Sequence, residues 1–304
     1  MSRPMLRLEP NAATLGATIH GLDLRQPLGD AAFRAVLHAL GQYAVLRLPN
    51  QQLHPRQLAA FSRRFGHIQT SVSGRYHHAE APEVGILSNI VENGVNIGIP
   101  DAGQDWHTDM SYTATRGFIN VLHAIQVPTR NGRPLGDTRF ADMRAAYATL
   151  PEDWKQRIEP LTATHDFNVF WQNMAARPGS SRPPLTPAER AKRPPATHPL
   201  VLRHPISGTP VLYCNPGYAE RIDGVSPAES ADILGYLFAH QRQPRFQHAH
   251  HWQVGDVLLW DHLATLHTAV ADYTAAEPRL MHRCQVMADQ VFSPEFQRQW
   301  LDAA

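Results

Sequence analysis

The sequence predicts a mainly β fold with flanking helices, a β-sandwich or jelly roll. Three observations predict it. Short apolar runs of strand length, broken by Gly and Pro turns, recur along most of the chain; only a few segments carry helical periodicity; and there is no internal repeat and no GxGxxG or P-loop pattern.

In chain order, residues 5–25 read as a strand–turn–strand entry punctuated by Gly16 and Gly21. Residues 31–42 are helical, with Phe33, Val36, Leu37 and Leu40 on one face, and Tyr43–Leu48 follows as a short strand. A second helix covers about 55–65, on Leu58, Phe61 and Phe65. Residues 83–91 read as a buried strand, and Glu92-Asn93-Gly94 as a turn, because Asn-Gly accepts positive φ. Phe118–Val127 is strand-like, and Asp142 is placed to cap a helix running to about Leu150, before Pro151. Residues 175–200 are rich in Pro and Arg and read as a long excursion with one short helix near Pro187–Lys192, a lid or binding loop or else a mobile segment. Strands are expected near 200–204 and 210–214. Ser226-Pro227-Ala228-Glu229 forms a capping box that opens a helix to about Gln241, and strands follow at 246–252, 256–261 and 278–287.

A chain of 304 residues with 43% apolar content can bury a core without covalent staples. With 28 basic and 27 acidic residues it offers no charge excess of the kind nucleic acid or a membrane surface calls for. MSRPMLRLEP lacks an apolar signal core, and no run approaches the roughly 18 apolar residues of a membrane span. Cys214 and Cys284 cannot build a disulfide framework and no CxxC is present, so a reducing cytoplasm is expected.

Chemistry enters at Trp106-His107-Thr108-Asp109-Met110. In a strand, residues two apart share a face, so His107 and Asp109 can present an imidazole and a carboxylate side by side to one metal. A lone HxD equally suits two polar residues facing water at a strand end. After the apolar run of 255–260, His267 supplies a second imidazole from a distant strand. Two His and one carboxylate leave three open positions on six-coordinate Fe(II), enough for a bidentate co-substrate and dioxygen. Arg279 and Arg283 are four apart and share a face if 278–287 is a strand; guanidinium groups there suit planar capture of a carboxylate or similar oxyanion. Thr138, after the turn at Gly136-Asp137, can hydrogen-bond an anion. The run Gln247-His248-Ala249-His250-His251 reads as a polar outer strand face, with His248 and His250 on one side and His251 on the other.

Together, WHTDMSY (106–112), GDTRFADMRAAYATLP (136–151), HPLVLRHPISGTPVLY (198–213), GDVLLWDHLATLHTAVADY (255–273), RLMHR (279–283) and the N-terminal LEPNAATLGATIHGLDL (8–24) resemble the taurine/2,4-dichlorophenoxyacetate dioxygenase family of Fe(II)/2-oxoglutarate enzymes. The resemblance spans nearly the whole chain. It implies one domain over 1–304 with the double-stranded β-helix fold, a distorted jelly roll, and a lid or excursion at 175–200. It implies His107, Asp109 and His267 as iron ligands. Arg279 and Thr138 would hold the distal carboxylate of 2-oxoglutarate, and Arg283 would face the anionic group of a small-molecule substrate. Hydroxylation would then consume dioxygen and release succinate and CO2, and a homo-oligomer is expected. Ser71, Tyr76, Asn89, Tyr112, Phe170 and Trp171 are the expected substrate-pocket residues.

The departures bear on substrate. Taurine-specific members carry a histidine soon after the Phe-Gly matching Phe65-Gly66; here Ser71 falls at that position. Gly103 lies where an asparagine precedes the HxD, and His262 follows Trp260-Asp261 where many members have Asn. These differences argue against taurine and raise His262 as a third ring near the metal, although the ligand set is complete without it. Two other functions remain open on the residues alone: a zinc-dependent hydrolase using the same ligands, which would give Arg279 and Thr138 no role, and a non-catalytic anion-binding β-barrel.

Overall fold

The computed structural model describes residues 6–11, 14–70, 76–177 and 183–301. The chain enters through the antiparallel pair β1 (Arg7–Pro10) and β2 (Ala17–His20). Helix α1 (Asp30–Tyr43) buries Phe33, Val36, Leu37 and Leu40, the face read from the sequence, and β3 (Val45–Leu48) then runs parallel to β2. Helix α2 (Pro55–Ser62) ends before residue 65 because Arg64 and Phe65 donate three residues back, tightening the last turn ahead of β4 (Ile68–Gln69). After β5 (His77–His78) and β6 (Ala81–Ser88), the hairpin β7 (Val91–Glu92) and β8 (Val95–Asn96) closes through Asn93 and Gly94, at φ 51° and 77°. That is the two-residue turn expected of Asn-Gly.

Strands β9 (Gly117–Gln126), β10 (Thr129–Arg130), β11 (Arg133–Pro134) and β12 (Thr138–Asp142) lead to α3 (Met143–Ala148), where the Asp142 carboxylate accepts from the Arg144 and Ala145 N–H groups. The elements α4 (Glu152–Ile158), β13 (Thr162–His165) and α5 (Phe167–Ala175) precede the excursion, which carries α6 (Pro187–Ala191). Then come β14 (Ala196–Pro199), β15 (Val201–Arg203), β16 (Pro210–Leu212), β17 (Ala219–Ile222) and α7 (Pro227–Gln241). Only half of the expected box forms at Ser226. Its hydroxyl accepts from the Glu229 N–H, while the Glu229 carboxylate pairs with Arg157 instead. The chain finishes with β18 (Gln247–His250), β19 (Val257–Asp261), β20 (Thr265–Ala269), β21 (Leu280–Met287) and α8 (Pro294–Trp300).

A mixed sheet with flanking helices results. Its path is β1-β2-β3-β19-β9-β21-β6-β5, with β4 also on β21, and a second sheet has the order β18-β12-β20. Pleat alternation sorts the large sheet into two faces. Ile119, Val121, Leu259, Cys284 and Val286 pack with Phe33, Leu37, Leu40 and Leu58 of the two N-terminal helices. On the other face Leu122, Ala124, Leu258, Trp260 and Met281 pack against Phe140 of β12 and Trp252. The three-stranded sheet therefore covers that second face.

The histidine run on β18 corrects the expectation of an outer face. His250 stands opposite Thr138 and His248 opposite Phe140, so both lie on the side that turns toward the large sheet. His250 is buried edge-on to Trp252, and His248 Nε2 meets Asn11 Nδ2 at 3.1 Å. His250 Nε2 lies 3.2 Å from Asp256 Oδ2. No helix among the described residues is long and apolar enough to cross a membrane. Cys214 and Cys284 are free and buried.

Candidate active site

The chain crosses between the sheets just after β19. Asp261 Oδ1 accepts from the Leu263 and Ala264 N–H groups, and Oδ2 lies 2.7 Å from His204 Nε2. The Ile206 and Ser207 N–H groups donate to His204 Nδ1, which leaves Nε2–H to donate to Asp261. This buried clasp fixes the turn that sets β20 in register with β12, and His267 stands opposite Phe140.

Residues 106–110 do not form the expected strand. One antiparallel bridge joins His107 to His267, with N–H···O contacts of 3.0 and 2.8 Å, and Met110 then adopts φ 61°. Pairing lasts one residue because that left-handed step folds the chain back. Asp109, two residues past the bridge and ahead of the turn, lies beside His107. Gly217 permits the approach from behind: a Cβ there would sit 2.7 Å from His107 Cβ.

His107 Nε2 is 3.4 Å from Asp109 Oδ1, and His267 Nε2 is 3.7 Å from Asp109 Oδ2. One donor atom from each of the three residues lies within 4.8 Å of the others, and all three are buried. His107 Nδ1 bonds the Asp105 carbonyl at 2.7 Å, which assigns its proton to Nδ1 and turns the Nε2 lone pair toward Asp109. Burial pushes the His267 imidazole well below its ordinary value. Burial alone would raise Asp109, but the imidazoles of His107, His267 and His262 around it outweigh that and hold the carboxyl well below its usual range. Lone pairs and a carboxylate facing one another out of water repel unless a cation lies between them. This donor set therefore fits a divalent metal.

Asn120 on β9 donates its Nδ2–H to Asp109 Oδ2 at 3.1 Å. The sequence reading missed this residue, although an Asn within the apolar run 118–122 was a visible signal. His262 is fully buried, with Nε2 3.8 Å from Asp109 Oδ2 and neither ring nitrogen hydrogen-bonded, and burial pushes it down to about 4. It lies outside the converging set.

Two cavities meet at this cluster, sharing Ala102, Gly103, His107 and Arg283. The narrow one is lined by Thr138, Trp260, His267 and Arg279. Arg279 is 7% exposed, its Nε has no hydrogen-bond partner, and no carboxylate pairs with it among the described residues. A buried guanidinium in that state is costly until an anion arrives. The Trp252 Nε1–H donates to Thr138 Oγ1 at 3.1 Å, so the hydroxyl proton is free for an acceptor in the cavity. The register shift between β21 and β9 inserts Ile125 on β9, so β21 keeps its alternation and Arg279, Met281 and Arg283 share the inner face.

The wide cavity, of ≈ 390 Å³, falls within the range of small-ligand pockets. Its walls are Tyr76, Met110, Tyr112, Phe167, Phe170, Trp171, Met174 and Tyr218, with polar Gln69, Thr70 and Gln285 and the cations Arg193 and Arg283. Tyr76, Tyr112, Phe170 and Trp171 thus line this cavity, and Ser71 lies outside the described residues. Asn89 lines neither cavity. Its Oδ1 accepts from the Arg279 N–H and its Nδ2 donates to the Thr274 and Glu277 carbonyls, so both ends of the amide clamp the chain behind Arg279. Phe167, Tyr218 and Arg193 were not singled out, because none of them lies in a motif.

A family profile described as "Taurine catabolism dioxygenase TauD, TfdA family" matches residues 7–285. Pentalenolactone F synthase of Streptomyces arenae is 32% identical over 291 residues, covering 93% of this chain and 95% of that protein. The alpha-ketoglutarate-dependent 2,4-dichlorophenoxyacetate dioxygenase of Cupriavidus pinatubonensis is 30% identical over 286 residues, covering 90% and 95%. Among solved structures, AAD-2 in complex with Mn(II) and N-oxalylglycine superposes with a TM-score of 0.78 at 28% identity, covering 93% and 98%.

Proposed function

The chain belongs to the TauD/TfdA family and is a 2-oxoglutarate-dependent dioxygenase using Fe(II) and dioxygen; from that premise we propose that it hydroxylates a small anionic organic molecule with an apolar body, releasing succinate and CO2. One observation carries this reading: the His107–Asp109–His267 cluster lies where a narrow, cationic cavity meets a wide, aromatic one.

On this reading His107, Asp109 and His267 hold Fe(II), and Arg279 with the Thr138 hydroxyl takes the distal carboxylate of 2-oxoglutarate. With dioxygen as the oxidant, bound Fe(II) and 2-oxoglutarate would supply the chemistry that converts a substrate C–H to C–OH, one oxygen atom going to the substrate and the other to succinate. The chain's own residues position and shield. Asn120 fixes the Asp109 carboxylate, Asn89 and Ser88 hold the Arg279 backbone, and Met110, Phe170 and Tyr218 keep water from the reacting carbon. Arg283 orients the substrate anion, which is a carboxylate, sulfonate, sulfate ester or phosphonate. The relative named for 2,4-dichlorophenoxyacetate acts on a carboxylate with an aromatic body, and the aromatic walls here suit a substrate of that kind.

We read the two opposed sheets as the sides of a distorted jelly roll within one dioxygenase domain, and the described part of the 175–200 excursion as its lid, residues 178–182 lying outside the described residues. The test is succinate formation from 2-oxoglutarate under Fe(II), stimulated by a panel of aryloxyalkanoates, sulfonates, sulfate esters and phosphonates. Stimulation by one class supports the reading. Zinc-dependent hydrolysis without any succinate would favour the hydrolase instead.

A further inference from the structure

Three arginines reach the two cavities, Arg193, Arg279 and Arg283, and none forms a salt bridge with a carboxylate among the described residues. On the reading above, the charges of Fe(II) and Arg279 are balanced by Asp109 and the two carboxylates of 2-oxoglutarate. Arg193 and Arg283 then remain as two uncompensated cations in one largely apolar cavity.

Arg193 is the less expected of the two. It follows α6, whose N-terminus is closed by the reciprocal Thr186–Glu189 box, and it precedes β14, which is paired to β13. Its backbone N–H bonds the Arg190 carbonyl at 2.9 Å. The guanidinium lies over the Phe167 ring at 4.6 Å, with Nε shielded from water and without a hydrogen-bond partner. Cation–π contact offsets part of that desolvation but leaves the in-plane N–H donors free. Tyr112 feels both cations: burial and Asp109 raise its phenol, and Arg193 and Arg283 oppose that rise.

We propose that the prime substrate is a doubly anionic molecule with an apolar carbon body, and that Arg193 and Arg283 each take one of its acidic groups. This deepens the assignment of the wide cavity as the substrate site and rests on it. Arg193 thereby makes the excursion a part of substrate selection: a monoanion satisfies Arg283 alone and leaves the cation of the excursion unneutralised.

The test uses the full-length protein with Fe(II) and 2-oxoglutarate under argon. Calorimetry compares the α,ω-dicarboxylates from adipate to sebacate with the monocarboxylates of equal chain length. The wild type should bind at least one diacid about tenfold more tightly than its monoacid. Arg193→Gln should abolish that preference while leaving monoacid affinity within about twofold, and Arg283→Gln should weaken both. An unchanged Fe(II)–2-oxoglutarate absorption band in Arg193→Gln shows that its loss is not a loss of fold. No diacid preference at any length, a preference that survives Arg193→Gln, or equal weakening of both ligands would overturn the proposal. Calorimetry of the metal-free protein with 2-oxoglutarate still present to occupy Arg279 reads the same preference, so a missing iron band would count against the metal reading alone.

Discussion

At the narrow end of the site, Thr138 and Trp260 come from strands paired on both sides, and Arg279 is clamped through its backbone by Ser88 and Asn89. At the wide end, Phe167, Phe170, Trp171 and Met174 come from the nine-residue α5, and Arg193 from the excursion behind it. The groups assigned to the cofactor thus stand on backbone that can hold a position closely. Those assigned to the substrate stand on elements that can change without disturbing the sheets. The tie between the two ends is narrow: Arg177, just past α5, bonds Gln104 and Asp105, and the Asp105 carbonyl orients His107.

The contrast is open to attack by substitution. The largest effect is expected from Asp109→Ala, which should abolish Fe(II) binding in equilibrium dialysis and reduce succinate formation by roughly a thousandfold. An anion-binding β-barrel would keep its ligand after this change. Arg279→Gln should raise the 2-oxoglutarate KM by roughly a hundredfold, about 3 kcal/mol, while the substrate KM stays put. Phe170→Ala should do the reverse, raising the substrate KM about tenfold, the result of removing a buried aromatic contact, with 2-oxoglutarate unaffected. If either variant moved both constants alike, the division into two ends would fail.

Smaller effects sharpen the picture. Trp252→Phe removes the donor to Thr138 and should raise the 2-oxoglutarate KM by roughly fivefold, as for one neutral hydrogen bond. Acid should act through the buried histidines near the wide end. Burial pushes His165 down to about 3 and His198 to about 4, from an ordinary 6.5. In that window the unfolded chain binds more protons, so the stability these groups contribute is complete above pH 6.5 and is lost as pH falls toward 4 and below. Thermal melting should show Tm declining with acid over this range; a flat profile would show that the two imidazoles are not held neutral.

Much of the fold was legible because its signals are local. The Asn93-Gly94 hairpin, the Asp142 cap and the apolar face of α1 each follow from a few neighbouring residues. The candidate site was legible for another reason: His107, Asp109, His267, Thr138, Arg279 and Arg283 form a joint pattern, although only a single bridge at His107 stands where a strand was invoked for 107–109. What escaped is what tertiary packing decides. Nothing local shows that Asn89 faces backward to hold Arg279, that Asn120 reaches Asp109 from β9, or that His248 and His250 turn inward. Helix α5 carries its aromatic residues without a cap-and-period signature strong enough to announce it, and Arg193 is one of several cations in a Pro- and Arg-rich stretch where nothing local sets it apart.

The central claim is that one iron and one 2-oxoglutarate bind together between the two cavities. Anaerobic absorption spectroscopy tests it most directly. Adding Fe(II) and 2-oxoglutarate should produce a visible metal-to-ligand charge-transfer band that needs both components. The band should be absent in Asp109→Ala and require a higher 2-oxoglutarate concentration in Arg279→Gln. A wild-type protein that binds Fe(II) yet shows no such band at saturating 2-oxoglutarate would contradict the account.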